Sequence, residues 1–61
     1  MNKNRVSKLA GKYGRRTANI VDSYLSGLST QQIAAQFHVR RSIVATTVGN
    51  LNRGHYSSVL D

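Results

Sequence analysis

The chain contains no cysteine and only two acidic residues, Asp22 and Asp61. Without cysteine, neither a disulfide nor a thiolate metal site can staple the fold, and the absence fits a reducing compartment. Two carboxylates and two histidines, His38 and His55, supply no carboxylate pair for acid–base work and no convincing Ser-His-Asp set. There is also no phosphate-cradling glycine loop. The expectation is therefore a protein that is not an enzyme and carries no catalytic residues, no metal and no cofactor. No stretch approaches the ~20 apolar residues of a membrane span. The basic N-terminus is not followed by the apolar core of a secretory signal. Repeats, proline-rich linkers and sustained apolar/polar alternation are missing too. A cytoplasmic protein with no membrane role is expected, and its 61 residues allow one small domain with a thin core. Oligomerisation is one remedy for so small a core.

What the sequence does have is positive charge. Nine lysines and arginines give a net charge of +7, which favours an anionic partner, either nucleic acid or an acidic membrane surface. Six of the nine lie in the first sixteen residues: Lys3, Lys8, Lys12, Arg5, Arg15 and Arg16. In the same stretch Val6, Leu9, Ala10 and Tyr13 recur at helical spacing, but Gly11 and Gly14 each cost a helix roughly 1 kcal/mol. Residues 1–16 are accordingly read as a flexible basic arm, with a short helix over Arg5–Ala10 at most. The apolar side of residues 1–13 offers too little for membrane binding.

From Thr17 the periodicity firms. Val21, Tyr24, Leu25 and Leu28, widened by Ile20, form an apolar stripe. Thr17 serves as cap, Asp22 complements the dipole and Gly27 ends the helix. Ser29 and Gln32 form a capping box, with Leu28 and Ile33 as a hydrophobic staple, so a short helix over Thr30–Phe37 is predicted. His38-Val39 breaks the pattern. Histidine tolerates positive φ better than most non-glycine residues, so His38 makes a tight turn and Val39 plugs the core. A third helix follows over Arg41–Asn52, carrying Val44, Val48 and Leu51, and ends at Arg53-Gly54. Ala34 is the small residue expected where the last two helices cross. In the tail, Tyr56, Val59 and Leu60 keep helical spacing and either fold back onto the core or meet a second copy.

The reading is an all-α, small three- or four-helix helix-turn-helix domain with a basic N-terminal arm. The arm covers residues 1–16, the helix-turn-helix 17–54 and the tail 55–61. Gly27-Leu28-Ser29, Ile33-Ala34, Val39, Val44, Val48, Asn50 and Leu51 carry a resemblance to the C-terminal DNA-binding domain of LuxR/FixJ-type response regulators. The same spacing, with Gly14-Arg15-Arg16 ahead of it, resembles less closely the helix-turn-helix of resolvases and invertases. His38 stands for the usual turn glycine, Arg40 for the small cap, Ile43 for a threonine and Thr47 for a histidine. The resemblance spans about half the chain and implies DNA binding rather than any one pathway.

A helix-turn-helix lays its second helix in the major groove, with the N-terminal residues on base edges. Arg40, Arg41, Ser42, Ala45 and Thr46 are the expected base-facing residues, with Ile43 near thymine methyls. Thr30, Gln31 and Arg53 are expected on phosphates, and Arg15 and Arg16 on phosphates or in the minor groove. Gly49 suits close approach of a backbone. The predicted function is a sequence-specific regulator of transcription that binds double-stranded DNA as a homodimer, cytoplasmic and nucleoid-associated, of the compact kind phages and mobile elements encode. Alternatives are a protein-interaction module that binds RNA polymerase or another regulator through an exposed Ile43, and a nonspecific architectural protein. RNA is a weaker fit, because only Tyr13 and Tyr56 look free for stacking.

Overall fold

The computed structural model describes residues 3–60, so the first two residues of the expected arm and Asp61 lie outside the described residues. The chain is all-α. Its helices are α1 (Lys3–Tyr13), α2 (Arg15–Leu25), α3 (Thr30–Phe37), α4 (Arg41–Asn52) and α5 (Ser57–Leu60).

The architecture turns on α2, whose apolar residues serve two cores. Ile20 enters one with Ile33, Ala34, Val44 and Val48, framed by Tyr24, Leu28, Phe37, Val39 and Ile43. Ala18 and Val21 enter the other with Leu9 and Tyr56, framed by Val6, Ala10, Tyr13, Leu51, Val59 and Leu60. α3 and α4 thus pack on one side of α2, and α1 with α5 on another. Leu51, near the end of α4, ties the two halves together.

The expected flexible arm is a folded helix. Leu9 is 0% exposed, and burying a leucine contributes about 1.5–3 kcal/mol, more than the roughly 1 kcal/mol that Gly11 costs. Gly14 does not break a helix; it joins two. At φ 95° it occupies backbone space that residues with a side chain rarely enter. Its N–H donates to the Ala10 carbonyl (3.0 Å) and its carbonyl accepts from the Ala18 N–H (3.1 Å). α2 therefore starts at Arg15 rather than Thr17, which lies half-buried inside the helix.

This shift changes the role of Asp22. It sits in the second half of α2, 1% exposed, instead of near the positive end of the dipole. Its carboxylate accepts hydrogen bonds from Arg5 Nε (2.9 Å) and Nη2 (2.6 Å). Charge-assisted bonds of this kind are shorter and stronger than neutral ones, and here they pin α1 to α2.

Other local signals hold as read. Ser29 Oγ accepts from the Gln32 N–H (3.1 Å) while the Ser29 N–H donates to Gln32 Oε1 (2.9 Å), closing the capping box. At the end of α2, the Leu28 N–H donates to the Ser23 carbonyl and the Gly27 N–H to the Tyr24 carbonyl, the paired bonds of a Schellman motif. Ala34 lies in the core shared by α3 and α4, as the crossing requires.

His38 takes the left-handed conformation, φ 54° and ψ 43°. The Val39 N–H reaches back to the Ala34 carbonyl (3.1 Å), and Val39 packs on the first core. Left-handed backbone costs a residue with a side chain about 1–2 kcal/mol, most for β-branched residues. His38→Gly is therefore expected to hold or raise the melting temperature. His38→Val is expected to lose about 1–2 kcal/mol, a fall of some 4–8 °C per kcal/mol in a domain this small. Thermal melts of the two variants check this.

The tail folds back as α5, the possible fourth helix, and the folded α1 brings the described residues to five. Tyr56 is 4% exposed and meets the Tyr13 ring edge-on at 4.8 Å. Tyr13 Oη donates to the His55 carbonyl (3.1 Å). The two tyrosines that looked available for base stacking are committed to this second core.

Candidate nucleic-acid interface

The exposed face of α4 begins with its buried one. Val44 is 0% exposed, and Val48 and Thr47 are nearly as deep. Thr47 Oγ1 donates to the Ile43 carbonyl (3.0 Å), so burial leaves its hydroxyl satisfied. With that side held against α2 and α3, the other must face solvent. Ser42, Ala45 and Thr46 are exposed there, and Arg40 and Arg41 are exposed at the leading end. Thr46 Oγ1 donates to the Ser42 carbonyl (2.9 Å). The exposed side chains there are short: a hydroxyl, a methyl and a second hydroxyl, with cations ahead of them.

Arg53 closes the far end of the stripe. Its side chain lies back along α4, with Nη2 3.5 Å from where a Gly49 Cβ would stand. The close neighbour that Gly49 admits within the chain is this arginine. Thr30 is half-buried and Gln31 exposed at the start of α3.

Two expectations are corrected here. Ile43 is half-buried against the first core, not presented outward. A helix wedged between two neighbours buries a wider arc than a single apolar stripe suggests. Arg15 and Arg16 are not on a flexible segment; they form the first turn of α2. Both remain exposed, and with Asn19, Phe37 and Val39 they line a groove of about 410 Å³. The start of α2 is thereby set beside the α3–α4 turn, one residue from Arg40. Asn19 was missed in the sequence; three and four residues beyond the two arginines, it falls on their face once α2 is begun at Arg15.

The electrostatics of these ends is unusual. α2 and α4 have no acid in the first turn and no side-chain cap. Each instead opens with two arginines, at the end where the helix dipole disfavours positive charge by about 0.3–1 kcal/mol per group. Backbone donors and guanidinium groups thus sit at the same helix ends, a combination complementary to phosphate. Among the described residues the only acid, Asp22, is buried on Arg5 and neutralises none of them.

No protein-family model, curated protein or solved structure matches the chain.

Among the described residues no three of His, Cys, Asp and Glu approach one another closely enough to hold a metal ion. No helix of the described residues is long and apolar enough to cross a membrane.

Proposed function

We propose that the protein binds double-stranded DNA sequence-specifically, as a small regulator of transcription, and reads the major groove with α4. The observation that carries this reading is the pairing of an exposed stripe of short side chains (Ser42, Ala45, Thr46) with Arg40 and Arg41 at its leading end, on a helix whose other side is locked by Val44 and Val48. An arginine at that end makes bidentate contacts to guanine, and a threonine methyl suits thymine. Arg15 and Arg16 beside the α3–α4 turn, Gln31 at the start of α3 and Arg53 at the end of α4 serve the phosphates. Because Arg15 and Arg16 are held on α2, backbone clamping fits them better than threading the minor groove.

The protein-interaction alternative rested on an outward Ile43, which is packed against the core, and it loses its main support. One unit of 61 residues covers few base pairs, so a two-fold homodimer on paired half-sites supplies the specificity a regulator needs. Selection of bound duplexes from a random pool tests the reading. An enriched inverted repeat is the expected result. Tight low-salt binding with no enriched sequence would sink specific readout and leave a nonspecific architectural role.

A further inference from the structure

We infer that the outer face of α1 is a second DNA-backbone surface, which holds a separate duplex while α4 engages the first; this rests on the reading above. Asn4, Ser7, Lys8, Gly11 and Lys12 are all exposed on α1. Lys8 and Lys12 stand one turn apart, a like-charge spacing that weakens a helix. Among the described residues no acid offsets it, since Asp22 faces Arg5 from beneath the helix. Lys12 Nζ reaches Ser58 Oγ at only 3.3 Å, on the surface.

Gly11 adds an independent observation. It lies inside α1, where glycine is a poor helix former, yet a Cβ there would meet nothing within 4 Å. Packing within the chain gives no reason for the missing side chain. A flat place between two lysines lets a phosphate backbone approach closely, and the neighbouring Asn4 and Ser7 offer hydrogen-bond donors of the kind that contact phosphates. The partner is therefore a duplex recognised by its charge and not by its sequence.

The two helices pack mainly on different sides of α2. α1 packs on the side of α2 that carries Ala18 and Val21, whereas the body of α4 packs on the side that carries Ile20. One chain then bridges two duplex segments.

A bead-bound short duplex and a fluorescent duplex of the same sequence, mixed with the full chain, test this. The unaltered chain is expected to retain the fluorescent duplex on the beads. Lys8→Gln/Lys12→Gln is expected to bind a single duplex as before but to retain the second about tenfold less, with the salt slope of retention reduced by about 2. Gly11→Leu, whose Cβ meets nothing within 4 Å, is expected to weaken retention as well. Helical circular dichroism confirms that both variants fold. Binding one duplex without bridging overturns the inference alone. So does bridging that ignores Lys8 and Lys12, which would mean copies joined through protein contacts. So does a loss of single-duplex affinity in the double variant, which would put α1 on the same duplex as α4. Failure to bind any duplex overturns the underlying DNA reading too.

Discussion

Leu9→Ala is expected to destabilise the whole domain by about 2–5 kcal/mol. Leu9 is 0% exposed and shares its core with Ala18, Val21 and Tyr56, so truncation opens a cavity between α1, α2 and the tail. A domain of this size has only roughly 3–9 kcal/mol of stability in total. The variant should therefore melt on the order of 10–40 °C lower and, at the upper end of the range, populate the unfolded state at room temperature. Ser7→Ala is the matched control: two residues away and exposed, it should stay within about 0.5 kcal/mol. Thermal melts followed by circular dichroism check both. If Leu9→Ala melts like the unaltered chain, α1 is not part of the cooperative unit.

Arg41→Ala is expected to lose about 1–3 kcal/mol of discrimination at particular base pairs while retaining most nonspecific affinity. Arg15→Ala is expected to weaken all duplexes to a similar degree and to flatten the log–log salt dependence by about 0.9. The difference follows from where each stands: Arg41 opens the exposed stripe of α4, whereas Arg15 rims the groove beside the α3–α4 turn. Titrations against a preferred duplex and its single-base variants, at several salt concentrations, separate the two. Sequence-blind losses of equal size would remove α4 from the role of reader.

The α3–α4 region was legible from sequence because its signals are local. A capping box, a staple and a histidine at the turn each act within a few residues, and the boundaries Thr30–Phe37 and Arg41–Asn52 follow from them. The N-terminal half was misread where the deciding energy is tertiary. Val6, Leu9, Ala10 and Tyr13 announce a helix, but Gly11 and Gly14 oppose it locally, and the burial that outweighs them comes from α2 and the tail. Starting α2 two residues late then hid the Arg5–Asp22 pair, which spans two helices and leaves no trace in spacing. The exposed candidates of the site (Arg40, Arg41, Ser42, Ala45 and Thr46) were legible because they are what remains when the apolar positions of α4 are removed. Ile43 was not, since its burial depends on a second neighbouring helix.

The burial of Asp22 reaches beyond the pairing of two helices. With that carboxylate withdrawn from the surface, every exposed formal charge among the described residues has the same sign. Copies of the chain in dilute buffer repel one another over a range set by the ionic strength. On the proposed DNA-binding reading, a polyanion cancels that repulsion by serving as the shared counter-ion, and self-assembly is expected on the nucleic acid rather than ahead of it.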